Sequence, residues 1–319
     1  MRYLVTGGFG YLGSHLVEHL ASEENEIVIF DSQIGSRTDQ SARKILDIQG
    51  DVSNPKDVFN LAKYGRFDGI FHLAARKSVS ESSLFPSDYW RVNLQGTQNL
   101  LDFCKDQDVK KIVFTSSAAI YGNLSLSRAI RETDPTIPTN VYGETKLAGE
   151  ELVSKYASES RAAVISMRCF NLAGTNFPQL IDKIGENVLP IMMRCLSEKR
   201  TFPLFGSTLA TPDGSCIRDY VSVRDAADAH VAAMKYIELN SAPIYEAINV
   251  STGRGVSVRE LVGLVERISQ KRMEIEELDK RTIDPVSSIG DASKANFLLN
   301  WSSSTSIETI VRQTVNAFL

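Results

Sequence analysis

The chain has 319 residues and a formal net charge of −4, and this length predicts one large domain with a smaller one. The acidic balance gives no reason to expect nucleic acid or an anionic membrane as a partner, and no apolar run approaches the ~20 residues of a membrane span. The four cysteines lack metal-ligand spacing, so we expect no metal site, and buried thiols in a reducing cytoplasm.

The N-terminal segment predicts a unit that binds a dinucleotide. Tyr3–Val5 is typical of a buried strand, residues 7–13 form a glycine-rich turn, and residues 14–20 open an amphipathic helix. In such a unit the glycines permit a tight turn, close approach of the backbone to a pyrophosphate, and packing of helix on strand. The helix N-terminus then faces the negative charge.

The next predicted strand, residues 26–30, ends in an acidic residue that selects the cofactor. Asp31 follows the glycine turn at roughly the ~20-residue distance expected of a ribose-binding acid. Its carboxylate would accept a hydrogen bond from the adenosine 2′-hydroxyl and repel a 2′-phosphate, so the sequence predicts NAD rather than NADP. The cofactor contacts expected in this segment are Gly7, Gly10, Tyr11, Leu12 and Asp31.

Strands and helices alternate through the first half of the chain. The predicted strands are 44–52, 69–75, 111–117 and 162–168, and the predicted helices are 55–64, 89–107 and 141–158. This alternation is typical of a doubly wound parallel α/β sheet of the Rossmann type. Ligands of such sheets sit outside the carboxyl ends of the strands. The residues that fall at those ends are 7–13, Asp31, Asp51, Ala74, Ser117 and Phe170.

Beyond Asn171 the alternation weakens, which predicts a smaller substrate-binding lobe. The elements expected there are helices 185–198, 223–239 and 258–271, a strand 244–250, and a loop or hairpin 202–216. Residues 302–305 are expected to cap a last helix. We therefore expect a cofactor domain at 1–170, to which segments around 217–240 return, and a lobe that is mainly 171–319.

A candidate catalytic group lies in the helix predicted at 141–158. Tyr142 and Lys146 stand four residues apart and so share one helix face. An ammonium beside a phenol favours the phenolate and lowers the phenol pKa from about 10, so that the tyrosine can act as a general base. Ser116 and Ser117 end the preceding strand, where they could hydrogen-bond the same substrate hydroxyl. With a nicotinamide, these groups predict an alcohol–ketone redox centre whose catalytic residues are Ser117, Tyr142 and Lys146.

The chain resembles the extended short-chain dehydrogenase/reductases, and among them most closely the UDP-glucose (UDP-galactose) 4-epimerases. The resemblance covers nearly the whole length and rests on residues 6–15, 93–97, 116–122, 142–146, 168–171, 217–221 and 290–295. The glycine turn and the Tyr-x-x-x-Lys segment are common to the wide superfamily. The Arg-Asp-Tyr segment at 218–220 and the Asp-Ala-Ser-Lys segment at 291–294 are shared more narrowly.

The resemblance implies a redox-neutral isomerase that acts on C4 of a UDP-hexose. Tyr142 would remove the proton of the sugar 4-hydroxyl while C4 gives a hydride to bound NAD⁺. The 4-keto sugar would then turn over, and the hydride would return to its other face. Ser117 would orient the hydroxyl, and Lys146 would also bind the nicotinamide ribose.

The resemblance also assigns contacts to both ligands. Those to the cofactor, beyond the glycine turn and Asp31, are Asp51, Val52, Leu73, Ala74, Ala75, Lys77, Asn93, Ser116, Tyr142, Lys146 and Phe170. Those to the UDP-sugar are Lys77, Ser117, Tyr142, Asn171, Asn187, Arg218, Arg281 and Asp284. An arginine fork suits phosphate oxygens.

Two departures from the family pattern and an assembly state complete the expectations. Cys169 stands where an aromatic residue is usual, so packing near the cofactor is expected to differ. Ser288 falls where side-chain size limits the space at the sugar C2 substituent, so N-acetylhexosamines are expected to be tolerated beside plain hexoses. By analogy the protein is a homodimer that pairs helices 89–107 and 141–158.

Other functions share parts of this pattern. A sugar-nucleotide 4,6-dehydratase or decarboxylase needs a carboxylate beside the catalytic serine, where this chain has Ala118 and Ala119. A UDP-glucuronate 4-epimerase has identical chemistry and differs only in the C6 pocket. The later motifs disfavour an oxidoreductase that releases its cofactor. The intact Ser117, Tyr142 and Lys146 disfavour an NAD-sensing regulator without catalysis.

Overall fold

The computed structural model describes residues 1–35, 44–124, 128–182, 185, 187–240, 243–281 and 284–319. Its strands are β1 (Arg2–Thr6), β2 (Glu26–Asp31), β3 (Ile45–Gln49), β4 (Gly69–His72), β5 (Lys111–Ser117), β6 (Ala163–Cys169), β7 (Asn171–Ala173), β8 (Phe202–Phe205), β9 (Ile217–Ser222), β10 (Ile244–Val250), β11 (Gly255–Ser257), β12 (Ile275–Leu278) and β13 (Ser287–Ser288). Its helices are α1 (Tyr11–Ser22), α2 (Pro55–Phe59), α3 (Val79–Leu84), α4 (Pro86–Tyr89), α5 (Gly96–Asp106), α6 (Val141–Glu159), α7 (Val188–Glu198), α8 (Val223–Leu239), α9 (Val258–Ser269), α10 (Ser293–Leu299) and α11 (Ile307–Phe318). Within these residues, no helix combines the length and the apolar character needed to cross a membrane.

The large sheet is parallel throughout its described part and has the strand order β10-β6-β5-β4-β1-β2-β3. From β1 the chain continues to β2 and β3 toward one edge of the sheet, and from β4 it continues to β5, β6 and β10 toward the other edge. The crevice outside the carboxyl ends of β1 and β4 is therefore the topological switch point, where ligands of such sheets bind. The predicted doubly wound α/β fold is confirmed.

Strand alternation divides the core into two layers, one on each face of the sheet. Tyr3 and Val5 of β1 pack into one hydrophobic cluster with α1, α8 and α10, whereas Leu4 packs into the other with α2, α5 and α6. A parallel sheet has to be covered on both faces. Helix α8 lies against α1 and strand β10 pairs with β6, so both of these later segments belong to the large sheet's layers.

The rest of the chain after β6 builds a smaller unit with its own core. Strand β9 pairs with β7, β11 and β13, and a third cluster joins helices α7, α9 and α11. The hairpin considered for 202–216 does not form, because β8 pairs in parallel with the distant β12. Helix α7 starts at Val188 rather than at 185, and residue 186 of that predicted helix lies outside the described residues.

Two further expectations are corrected. The predicted helix 89–107 is interrupted, because Trp90–Gln95 forms a π-helical segment between α4 and α5. The predicted cap at 302–305 is wrong, because the hydroxyl of Ser306 caps α11. The residues before Ser306 are instead bound to the buried carboxylate of Asp225, which accepts hydrogen bonds from the hydroxyls of Ser303 and Thr305 at 2.7 and 2.9 Å.

A buried ion pair joins β6 to α6. Arg168 donates to Glu150 at 2.8 Å from Nη2 and at 3.0 Å from Nε, and the two side chains are 8% and 4% exposed. Breaking such a pair leaves an uncompensated buried charge and costs about 3–5 kcal/mol. We expect Glu150→Gln to lower the free energy of unfolding by that amount, measured by urea denaturation at constant m-value.

The exposed pair Arg267–Glu308 provides the control for this prediction. Its atoms lie 3.3 Å apart, with side chains 62% and 50% exposed, so Glu308→Gln is expected to cost less than about 1 kcal/mol. Equal losses in the two variants would show that burial does not set the strength of the Arg168–Glu150 pair.

Candidate active site

The loop between β1 and α1 has no room for a side chain at two of its glycines. Gly7 has φ of +73°, and a Cβ added there would lie 2.7 Å from the backbone nitrogen of Ala74. A Cβ on Gly13 would lie 2.1 Å from the oxygen of Gly7. Helix α1 begins at Tyr11, three residues before the predicted Ser14, and its cap Gly10 has no side chain to satisfy the first amides. Those amides face the switch point and can bind an anion.

Asp31 is fixed beside this loop. It ends β2, next to β1, and its Oδ2 accepts a hydrogen bond from the backbone nitrogen of Phe9 at 3.0 Å. Its Oδ1 accepts from the nitrogen of Gln33 at 3.1 Å. The carboxylate thus lies next to the glycine loop, where a ribose that follows a bound pyrophosphate would lie.

The other rim of the crevice is the segment after β4. The backbone nitrogen of Leu73 donates to Thr6 at 3.0 Å, which continues the line of β4 past the glycine loop toward Ala75. Asn93, in the π-helical segment, accepts from the nitrogen of Arg76 at 2.8 Å and donates to its oxygen at 3.1 Å. The ammonium of Lys77 lies 5.6 Å from the ring centre of Tyr11.

Asp51 and Val52, assigned to the cofactor, follow β3. Asp51 accepts hydrogen bonds from the nitrogen and hydroxyl of Ser53 at 2.8 and 2.7 Å. Val52 is buried, and its backbone oxygen accepts from the side chain of Asn99 at 3.0 Å. Both residues therefore have fixed positions at the same edge of the sheet as Asp31.

Ser117, Tyr142 and Lys146 come together at the carboxyl end of β5. Ser117 ends that strand, its hydroxyl accepts from the backbone nitrogen of Ala119 at 3.2 Å, and it is close enough to the Tyr142 phenol to oppose the rise in the pKa of that group. Asn140 caps α6 by accepting from the nitrogen of Gly143 at 2.8 Å, which fixes the helix turn that carries Tyr142. Lys146 is 5% exposed and donates to the oxygen of Thr115 at 2.8 Å.

The charge balance of this group differs from the sequence-based expectation. Burial raises the pKa of Tyr142 to about 12, against the opposing effect of the nearby Ser117 hydroxyl. Burial also lowers the pKa of Lys146 to about 8. The loss of hydration therefore outweighs the lowering of the phenol pKa that the Tyr-x-x-x-Lys spacing predicts.

Cys169 and Phe170 lie beside the same group. In the sheet Cys169 is the register partner of Ser117, and burial raises the pKa of its thiol to about 12. The nitrogen of Phe170 donates to Val250 at 3.1 Å, and its ring is buried. A small neutral thiol therefore packs next to the catalytic candidates.

The residues assigned to the UDP-sugar alone, and not also to the cofactor or the catalytic group, fall in two places. The side chain of Asp284 pairs with Arg281 at 2.7 Å and with Arg218 at 3.9 Å. Asn171 donates to the oxygen of Asp219, next to Arg218, at 3.2 Å, and Ser288 is the register partner of Arg218.

Asn187 lies apart from that group. It occupies the N-cap position of α7 without a side-chain capping hydrogen bond, and it lines a small cleft with Tyr11, Gly174 and Asp182. Asp182 also forms an ion pair with Lys77. Sequence reasoning did not find Asp182, because no local signal links it to Lys77, which is 105 positions away.

The crevice fits a dinucleotide. The glycine loop lets a phosphate approach closely, and no side chain caps the first amides of α1. Asp31 is fixed beside this loop. The hydroxyl of Ser116 is buried and has no hydrogen-bond partner among the described residues.

Comparisons with known proteins agree with this geometry. Residues 3–251 match the model of a family described as the NAD dependent epimerase/dehydratase family. The chain is 34% identical to a UDP-glucose 4-epimerase of Halalkalibacterium halodurans, over 99% of this chain and 95% of the relative. It is 35% identical to one of Corynebacterium glutamicum, over 98% of this chain and 94% of the relative.

Solved structures give the same picture. A UDP-glucose 4-epimerase from Stenotrophomonas maltophila with bound NAD and formylated UDP-arabinopyranose superposes with a TM-score of 0.92 at 30% identity, over 99% of this chain and 97% of that chain. One from Bifidobacterium longum in complex with NAD⁺ and UDP has a TM-score of 0.90 at 27% identity, over 99% and 98%.

Proposed function

Because the chain belongs to the NAD dependent epimerase/dehydratase family, we propose that it is an NAD-dependent 4-epimerase of UDP-hexoses, with UDP-glucose and UDP-galactose as substrates. The observation that carries this proposal is the grouping of Ser117 and Tyr142 with buried Lys146 at the carboxyl end of β5. The fixed Asp31 beside the glycine loop and the names of the relatives support it.

The chain's own residues would hold the cofactor along the switch-point crevice. The residues proposed for this role are Gly7, Gly10, Tyr11, Leu12, Asp31, Asp51, Val52, Leu73, Ala74, Ala75, Lys77, Asn93, Ser116, Tyr142, Lys146 and Phe170. NAD⁺ held there would supply the capacity to take up a hydride from C4 and to return it within one turnover, so the reaction would need no external oxidant. Asp31 excludes a 2′-phosphate by charge repulsion.

Tyr142 moves the proton in this proposal. Its phenolate takes the proton of the sugar 4-hydroxyl and later returns it, while Ser117 orients that hydroxyl by a shared hydrogen bond. Since burial raises the pKa of Tyr142 to about 12, the phenolate requires a positive charge close by. The Lys146 ammonium provides that charge below about pH 8.

The titration of Lys146 predicts a pH dependence. Burial lowers its pKa from 10.5 to about 8, so the ammonium is present below that pH and lost above it, and kcat/KM in the reaction with UDP-galactose is expected to fall as the pH rises through about 8. Lys146→Arg keeps the charge, so the activity that this variant retains is expected to lack that fall. A wild-type profile that stays flat up to pH 9.5 would contradict the assignment.

Unfolding would not account for such a fall. The unfolded chain holds the Lys146 proton up to about pH 10.5, whereas the folded chain releases it near pH 8. Between these values the unfolded state binds more protons, so this group makes the free energy of unfolding increase with pH. Activity and stability are therefore expected to change in opposite directions over this range.

The UDP part of the substrate is proposed to bind along β9 and α7. The residues proposed for this role are Lys77, Asn171, Asn187, Arg218, Arg281 and Asp284, with Ser117 and Tyr142 at the sugar. Ser288, beside Arg218 in the sheet, is small, so we propose that N-acetylhexosamines are also turned over.

One assay tests the function and its substrate range. Purified protein without added cofactor is incubated separately with UDP-galactose, UDP-N-acetylgalactosamine and UDP-glucuronate, and the products are resolved by chromatography. We expect conversion of the first two to their C4 epimers without net NADH formation. Conversion of UDP-glucuronate alone would change the assigned substrate, and no conversion of any of them after NAD⁺ is added would overturn the proposal.

We also propose a cofactor domain at 1–170, to which later segments around 217–240 return, a lobe mainly at 171–319 for the UDP-sugar, and a homodimer. Leu84, Phe85 and Trp90, near α5 and α6, are 73%, 52% and 36% exposed, and burial against a second copy would remove this apolar surface from water. Light scattering is expected to give the mass of a dimer, and a monomer at micromolar concentration would contradict the assembly.

A further inference from the structure

We infer that His72 is a positioning residue, which braces the cofactor crevice against the catalytic helix α6 through a single directional chain of hydrogen bonds. This hydrogen-bond chain follows from contacts in the structure, and only its expected effect on catalysis rests on the proposed function.

The imidazole of His72 bridges two elements. It ends β4 and is 2% exposed. Its Nδ1 lies 2.7 Å from the hydroxyl of Thr6, which ends β1 immediately before Gly7. Its Nε2 lies 3.0 Å from the hydroxyl of Thr97, in the first turn of α5. Both ring nitrogens therefore have a partner, one at the glycine loop and one on the helix side.

The partners of the two threonines determine which nitrogen carries the proton. The hydroxyl of Thr97 donates to the backbone oxygen of Asn93 at 2.6 Å, so its single proton is used there and it must accept from His72 Nε2–H. Nδ1 then accepts from the hydroxyl of Thr6, and that oxygen accepts from the nitrogen of Ala74 at 3.3 Å. The chain thus specifies the neutral Nε2–H tautomer.

The chain ends at the two parts of the site. At one end is Ala74, whose backbone lies against Gly7 on the cofactor side. At the other end, the side chain of Asn93 donates to the hydroxyl of Thr145 at 3.0 Å, and Thr145 donates to the backbone oxygen of Tyr142 at 2.8 Å. The position of the catalytic tyrosine is thereby linked to the rim of the crevice.

The surroundings keep the ring neutral. Burial, with a contribution from the Lys146 charge on α6, lowers the pKa of His72 to about 3. The other faces of the ring meet Thr6 on β1, Thr97 on α5 and the ring of Phe114 on β5 at 5.7 Å, and none of these can stabilise an imidazolium by charge. A second ring proton, on Nδ1, would point at the Thr6 hydroxyl and displace the proton that this hydroxyl donates, so the brace requires neutrality.

Matched variants at Thr97 break or keep the chain with little change in shape. Thr97→Val removes the hydroxyl and leaves His72 N–H and the Asn93 oxygen without their partner, whereas Thr97→Ser keeps it. The free energy lost when buried polar groups are left unsatisfied typically corresponds to about a tenfold change in a rate or equilibrium constant. We expect Thr97→Val to lower kcat and NAD retention about tenfold each, with KM for UDP-galactose nearly unchanged. We expect Thr97→Ser to keep kcat and NAD retention near their wild-type values.

Nitrogen NMR of ¹⁵N-histidine-labelled protein tests the brace independently of activity. The His72 signals, assigned by their loss in His72→Gln, are expected to show the Nε2–H tautomer and no titration between pH 5 and 8. A Nδ1–H tautomer, or titration near pH 6.5, would overturn the inference whether or not the protein is an epimerase. NAD retention after gel filtration likewise requires no turnover.

The kinetic comparison separates positioning from stability. Assays are run well below the unfolding temperature of each variant, where a merely structural role would leave kcat unchanged. Should Thr97→Val fail to fold, Thr6→Val and Thr6→Ser break and keep the same chain at its other end. If the valine variants retain wild-type kcat and NAD retention, or the serine variants are equally impaired, His72 is not a positioning residue.

Discussion

Tyr142→Phe is expected to lower kcat for UDP-galactose by about 10³-fold while it leaves NAD binding and KM within a few-fold. The substitution removes only the phenol hydroxyl, which lies near Ser117, so the site keeps its shape but loses the group proposed to move the proton. The loss is expected in kcat because the interaction acts on the proton in the transition state.

Steady-state kinetics of wild type, Tyr142→Phe and Tyr245→Phe measure this effect. Tyr245 is a matched control, since its hydroxyl donates to that of Ser166 at 3.3 Å within the sheet, and Ser166 is not among the assigned ligand residues. Tyr245→Phe is expected to keep kcat within twofold. A Tyr142→Phe enzyme within tenfold of wild type would rule out Tyr142 as the proton carrier.

The second large effect is expected at the glycine loop. Gly7→Ala places a methyl group 2.7 Å from the nitrogen of Ala74 at a φ of +73°, where L-residues are strained by about 1–3 kcal/mol. Relief requires Ala74 or the loop to move away from the position that lets a phosphate approach. We expect NAD affinity to fall by about 100-fold and the protein to purify without cofactor and without activity.

Gly263→Ala is the control for this substitution. Gly263 lies in α9, and a Cβ added there meets none of the described atoms within 4 Å, so NAD binding should be unchanged. Alanine should also stabilise the helix by up to about 1 kcal/mol. The measurement is NAD content after gel filtration together with the urea midpoint. A Gly7→Ala protein that retains a full complement of NAD would show that the loop does not form the cofactor site.

The elements that sequence reasoning predicted well are those set by local spacing. Helix 223–239 and strand 244–250 have the predicted bounds, because apolar periodicity reflects which side of an element faces the core. The glycine turn, Asp31 at the end of β2, and Tyr142 one helical turn from Lys146 are likewise features of short stretches of chain. From them the sequence alone indicated the fold and the type of chemistry.

The tertiary structure decided what depends on contacts between distant residues and on burial. The Tyr142 pKa is raised because its surroundings exclude water, which the Tyr-x-x-x-Lys spacing does not report. The partners of His72, Thr6 and Thr97, lie 66 and 25 positions away, and strand order brings them together. Local spacing therefore indicated which groups are proposed to carry the chemistry. Packing determined their charge, their partners and their positions, because desolvation and hydrogen bonding act through space rather than along the chain.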